Sequence, residues 1–295
     1  MWIVITLAAT VFQILRTSEQ HRLRSVLSVT EAGSVRYLYA LPFALAGLGI
    51  TSLTWDAAPT VHSRFVPIVI AAGVCQILGT ICLLQSFRVR DFAVGTVYSK
   101  GEVILVAIAS AVLIHEVPSP LGWVGVVVVF IGIVWLASQR VADPGEAFTR
   151  LDPAALLGLA AGGLFALTSI GIRSASRAID GGSDFEHALI TLAGMLSSQV
   201  VINGLGLAVA PNESLVRVLK AWRAALPVGV LSLGGSASWA WAIAIEGPTK
   251  VRTLGQVELV LAFAIGIVVH HERHHLREYL ASAMILAGIV GIVVS

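Results

Sequence analysis

The chain has 295 residues, 57% hydrophobic and only 12% charged, with a net charge of +2. A soluble domain carries roughly 25% charged residues because its surface faces water. A mean hydropathy of +0.88 leaves too few polar groups to coat a soluble globule of this size, and singly scattered basic residues argue against a nucleic-acid partner.

Crossing the hydrocarbon core takes about 20 mostly apolar residues in helix. Windows of that kind fall at 2–22, 33–53, 65–87, 92–114, 119–138, 153–175, 187–209, 223–245, 249–270 and 276–294. The expected class is an all-α integral membrane protein of about ten transmembrane helices. A barrel is excluded, because the apolar runs do not alternate with period two.

The first window has no basic residues before it and no small-residue cleavage site after it, so it reads as a span rather than a signal peptide. Its apolar run stops at Leu15, and Arg16, Glu19, Gln20 and Arg22 follow. Either the helix continues through them along an aqueous cavity, or it ends at Arg16. Cys75 and Cys82 lie two turns apart on one helix, too far to bridge, and read as packing residues. The longest polar link, Gln139–Asp152, separates residues 1–138 from residues 153–295.

These two halves repeat. A shift of 156 residues aligns Ser99–Ser138 with Gly255–Val294 without a gap. It superposes Glu102 on Glu258, His115-Glu116 on His271-Glu272, and Gly132 on Gly288. Upstream, Gly73 meets Gly229 and Gly79 meets Gly235. The match is weaker over the first two spans. Five spans is an odd number, so the second copy enters the membrane from the opposite side. That makes two inverted five-helix repeats, an architecture typical of secondary transporters. Links after odd-numbered spans hold most of the Lys and Arg, and the positive-inside rule then places both termini outside the cytoplasm. Arg16 and Arg252 carry no vote if they face a cavity.

A charge at mid-bilayer is costly and normally faces a cavity or a partner. Glu102 and Glu258 lie near the centres of windows four and nine, at equivalent repeat positions. They are expected to line the transport site, with at least one exchanging protons. The alternative is an ion pair with Lys100, Arg252 or Arg16 that only holds helices together. Lys100 aligns with Gln256, and Arg252 with Thr96, so the halves are not chemically identical there. Two Glu facing Lys or Arg could hold a zwitterion or an anion. Tyr98, Gln13, Gln76, Trp239 and Trp241 lie within spans and are further candidates for lining or for packing.

The ends of the halves, LIHEVPSPLGWVGVVVVFIGIVWL (Leu113–Leu136) and VVHHERHHLREYLASAMILAGIVGIVV (Val268–Val294), resemble the ten-helix EamA-like branch of the drug/metabolite transporter superfamily. Glu116 and Glu272 match that family's Glu at a tight corner, and Gly132 and Gly288 its later Gly. Arg36 resembles the Arg that often opens the second helix. The resemblance implies a central cavity lined partly by the fourth and ninth helices. This chain departs in carrying Glu102 and Glu258 where many members have Pro. Members are also usually described with cytoplasmic termini, against the charge distribution.

His271, Glu272 and His275 match HExxH, a zinc-peptidase motif when helical. The repeat undercuts it, since the equivalent stretch, His115–Ser119, contains proline and marks a corner. No third ligand is evident, and incidental metal binding by surface histidines is the plainer reading. No phosphate loop and no nucleophile motif occur, so neither ATPase nor hydrolase is expected, and no cofactor. A channel would need a continuous pore. The expected function is secondary carriage of a small polar metabolite, such as an amino acid or related compound, by alternating access. Export is the expected direction, with proton coupling through Glu102/Glu258 as an option. The alternatives are an uncoupled facilitator or exchanger and, in another class, the HExxH peptidase. The expected location is the plasma or inner membrane, as a monomer or homodimer.

Overall fold

A computed structural model describes residues 1–23, 26–55, 57–89, 98–138, 153–210, 214–261, 263 and 275–295. In chain order these form α1 (Trp2–Leu23), α2 (Val29–Leu38), α3 (Leu41–Ser52), β1 (Thr60–Val61), α4 (Phe65–Val89), α5 (Glu102–Leu113) and α6 (Pro120–Ser138). Then come α7 (Pro153–Ser176), β2 (Ile179–Asp180), α8 (Asp184–Val209), α9 (Leu215–Lys220), α10 (Trp222–Ile245), α11 (Pro248–Leu254) and α12 (Leu276–Val293). Among the described residues five helices are long and apolar enough to cross a membrane: Phe65–Ser86 of α4, then α7, α8, α10 and α12. Shorter apolar helices cover Trp2–Thr17, Glu102–Leu113 and Pro120–Leu136. The chain is a multi-pass membrane protein.

Helix α1 runs unbroken to Leu23, past Arg16, while its apolar stretch covers Trp2–Thr17. Glu19 and Arg22 pair on its surface at 2.9 Å. The window at 33–53 is instead two helices, α2 and α3, parted at Tyr39–Ala40, with Pro42 in the first turn of α3. Arg36 sits in the last turn of α2, over the ring of Tyr37. Capping boxes open α2 (Ser28 with Glu31) and α8 (Ser183 with Glu186). Each satisfies backbone N–H groups left free in a first turn. The two serines stand one residue short of the 156-residue shift.

The chain forms two compact units that interleave along the sequence. The first comprises Met1–Val74 and Gly171–Glu246, the second Cys75–Ile170 and Gly247–Ser295.

In the first unit α1 packs along α10, and α8 packs against α2, α3 and α10. A Cβ on Gly229 of α10 would collide with Tyr39, just past the end of α2, whose carbonyl oxygen lies 3.0 Å from that position. The equivalent Gly73 of α4 lies against Ser198 and Gln199 of α8 and the carbonyl of Met195. Met195 is the repeat equivalent of Tyr39, so the two glycines seat corresponding backbones. Leu23, Leu27, Val35, Leu207, Val218 and Val228 form a buried cluster near the ends of α1, α2, α8, α9 and α10.

The polar groups beside that cluster are matched closely. The Glu31 carboxylate, 1% exposed, accepts 2.8 Å hydrogen bonds from the Ser214 N–H and from Arg217 Nε. The Tyr39 hydroxyl donates to the carbonyls of Val218 and Leu219 at 2.9 and 3.2 Å. Burial pushes the Glu31 carboxyl up, but the hydrogen bonds from Arg217, Ser28 and Ser214 outweigh it and hold the group below its ordinary 4.5. Elsewhere in this unit Arg173 of α7 donates to the carbonyls of Ile243 and Ala244, at 2.9 and 2.6 Å, capping the C-terminus of α10. β1 and β2 pair antiparallel, with His62 Nε2 2.6 Å from Asp180 Oδ2 beside them.

In the second unit α6 packs along α12 and α5 against α11. A Cβ on Gly132 would meet Ile285 and the carbonyl of Ala281; one on Gly288 would meet Val129 and the carbonyl of Gly125. Under the 156-residue shift these two contact sets exchange, so the α6–α12 contact is reciprocal. Small residues allow this approach where lipid supplies no hydrophobic drive to pair helices.

Gly132→Val and Gly288→Val should each lower the melting temperature of the detergent-purified protein, at an overpacking cost of about 1–3 kcal/mol. Because the contacts exchange, losses of similar size are expected. Glu31→Gln should lower the melting temperature at pH 7 by several degrees. A depressed carboxyl contributes stability above its unfolded pKa and loses it as pH falls through the folded value. The gap between wild type and Glu31→Gln should therefore narrow as pH falls below about 4.3 in melts taken from pH 7 to 3.5.

Candidate functional site

Two interrupted helices in the second unit carry the acidic residues. Tyr98 and Ser99 are helical, and the chain turns at Lys100–Gly101 before α5 begins at Glu102. Helix α11 ends at Leu254, turns at Gly255–Gln256, and the helix resumes at Val257. Both breaks are tightened into i→i+3 hydrogen bonds. The N–H of Val103 donates to the carbonyl of Lys100 at 3.2 Å, and its repeat equivalent Leu259 donates to Gln256 at 3.0 Å. Short 3₁₀ stretches inside helices often mark hinges, and Gly101 and Gly255 ease the departure from α geometry. Gly162 of α7 lies against the first break: a Cβ there would stand 2.8 Å from the Ser99 carbonyl oxygen and 3.0 Å from the Glu102 nitrogen.

Each break places its acid at the start of a helical segment, where the helix dipole favours negative charge. The charges then pair crosswise. Arg252 Nε donates to Glu102 Oε1 at 2.5 Å, and a second guanidinium nitrogen contacts the same oxygen. Lys100 Nζ lies 3.8 Å from Glu258 Oε2. The acids are equivalent but the bases are not, so one pair is close and the other loose. All four side chains are largely withdrawn from the surface, where an unpaired charge would be heavily penalised.

Further polar groups extend the seam between α5 and α11. Thr249 Oγ1 donates to Ser110 Oγ at 3.1 Å. Gln256 Nε2 donates to the Arg252 carbonyl at 3.2 Å. Its Oε1 and the hydroxyl of Thr253 are buried without a hydrogen-bond partner among the described residues. A buried polar group left unsatisfied costs about 1–3 kcal/mol.

The structure thus brings together Lys100, Glu102, Arg252, Gln256 and Glu258, with Tyr98 at the first break. Both acids are ion-paired, Glu102 with Arg252 and Glu258 with Lys100. Gln76 is half-buried on α4 in the same unit. Gln13, Arg16, Trp239 and Trp241 belong to the first unit. There Trp239 Nε1 donates to Gln13 Oε1 at 3.2 Å, and Trp241 meets Phe185 edge to face. Glu116 follows His115, whose φ of +56° makes the corner. Its carboxylate lies where a Cβ on Gly247 would come within 2.8 Å, immediately before α11. Glu272 and the residues 270–274 of the histidine cluster lie outside the described residues; His275 precedes α12 as its N-cap.

Ser110, Thr249 and Thr253 carry no distinguishing signal in the sequence, since isolated hydroxyls in apolar helices are common. The signal for the breaks was present in the Gly that precedes each Glu by one to three residues.

Arg252→Met should destabilise the protein by about 3 kcal/mol, because it leaves Glu102 buried and unpaired. Combining it with Glu102→Gln should recover most of the loss. Melting curves of the three variants in detergent check this.

No curated protein matches the chain. A crystal structure of a protein matches it at a TM-score of 0.73, with 15% identity over 99% of this chain and 97% of the other, which shows a shared fold alone. Residues 152–294 match the EamA-like transporter family, part of the drug/metabolite transporter superfamily, whose members are transporters and not enzymes.

Proposed function

We propose that this transporter is a secondary carrier for a small zwitterionic metabolite, such as an amino acid or related compound, exported by alternating access. The carrying observation is the crosswise pairing of Glu102 with Arg252 and Lys100 with Glu258 at two equivalent helix breaks. A buried ion pair cannot lose one partner cheaply, but it can exchange partners. A zwitterion offers a carboxylate to Arg252 or Lys100 and an ammonium to Glu102 or Glu258. Gln256 Oε1 and the Thr253 hydroxyl, without partners among the described residues, offer hydrogen bonds that such a solute can complete. A proton is the smallest substitute for the departing cation, so proton coupling through Glu102 or Glu258 belongs to the same reading.

In this reading the membrane-spanning part is ten helices in two inverted five-helix repeats, 1–138 and 153–295, joined by the link 139–152. The reciprocal Gly132–Gly288 contacts and the equivalent seats of Gly73 and Gly229 support it. Discontinuous helices at a repeat interface are where such carriers bind solute and coupling ion. The membrane is the plasma or inner membrane, and the protein acts as a monomer or homodimer.

Purified protein in proteoliposomes loaded with mixed amino acids tests the reading. Wild type should show saturable counterflow, accelerated by an imposed pH gradient. Glu102→Gln and Glu258→Gln should each reduce it at least tenfold or abolish the pH response. Full, pH-dependent transport by both variants would sink the assignment of the site. Counterflow indifferent to the gradient identifies an exchanger and removes the proton, while unitary conductance steps identify a channel.

A further inference from the structure

We infer that the segment from α9 into the first turn of α10 is a binding surface for anionic phospholipid headgroups. It rests on the chain's lying in a membrane and not on the proposed substrate. One side of the segment is nailed down. Val218 is fully buried in the cluster with Val35 and Val228, Arg217 is held by the Glu31 carboxylate, and the Tyr39 hydroxyl takes up the carbonyls of Val218 and Leu219.

The other side is open and two-toned. Val216, Leu219 and Trp222 recur every third residue and are 58%, 49% and 51% exposed. Arg217, Lys220 and Arg223 recur at the same spacing one residue on and are exposed too. Arg217 is neutralised by Glu31. Among the described residues Lys220 and Arg223 pair with no carboxylate, and the Arg223 guanidinium lies 5.3 Å over the Trp222 ring. Apolar residues beside cations that have no carboxylate partner among the described residues, with a tryptophan at the junction, fit the boundary between acyl chains and headgroups. The fixed helix presents both cations without further ordering. The positive charge of Lys220 and Arg223 selects an anionic headgroup over a zwitterionic one.

The test uses the full chain in detergent, with phosphatidylglycerol or phosphatidylcholine added and bound lipid counted by native mass spectrometry. Wild type should retain phosphatidylglycerol preferentially. Each basic residue near a membrane surface contributes about fivefold, so Lys220→Gln/Arg223→Gln should bind about thirtyfold more weakly and each single variant about fivefold. Arg64→Gln, which removes one charge beside β1, should bind like wild type. Circular dichroism and gel filtration establish that the variants are folded, and the single variants serve if the double one is not. Equal retention of the two lipids by wild type, or equal losses from Arg64→Gln and the α9 variants, would overturn the proposal. Transport activity does not enter the readout.

Discussion

Two apolar helices in lipid gain little by touching each other, because acyl chains are as apolar as leucine. What holds this chain together is therefore how closely backbones approach and how well the few polar groups are matched. Gly125, Gly132 and Gly288 let α6 and α12 meet with carbonyls of one against amides and side chains of the other. Gly229 does the same for α10 on Tyr39, and Gly162 for α7 on the first break. Any side chain at these places would push a whole helix away, and with it the groups the helix carries.

That constraint explains why the polar chemistry sits where it does. Interrupting a helix exposes N–H and C=O groups that lipid cannot satisfy. Here the 3₁₀ hydrogen bonds around Lys100 and Gln256 re-pair part of them, and the neighbouring backbone of α7 closes over Ser99 and Glu102. The two acids then need counter-charges, and each break takes its base from the other. Close packing, broken helix and crossed ion pairs are thus successive consequences of folding a polar seam in an apolar solvent. In the first unit the same rule appears in another form, as Arg173 capping α10 and Glu31 gathering Ser214 and Arg217.

Much of this is legible in the sequence, for a definite reason. In a chain this apolar, a mid-span Glu is rare enough to announce itself, and coincidence of Glu102 with Glu258 and Gly132 with Gly288 at one shift is rarer still. The windows match described helices wherever the helix is continuous. They do not part α2 from α3, or α11 from the helix that resumes at Val257, because hydropathy is summed over a window and a two-residue turn does not change the sum. The interruption at 39–40 comes from Pro42 and the seat for Gly229, and that at 255–256 from a glycine no different in type from the many in unbroken helices.

By itself the sequence determined that the chain lives in lipid, that it is helical, and that Glu102 and Glu258 fall together under one internal shift. Those properties are additive along the chain: composition, period and coincidence under a shift. Only the tertiary structure decided that Arg252 serves Glu102 while Lys100 serves Glu258, that Glu31 gathers a loop 183 residues away, and that the compact units interleave instead of tracking the halves. Which base reaches which acid depends on backbone separations of a few ångströms across helices distant in sequence, and no local pattern of residues encodes such a distance.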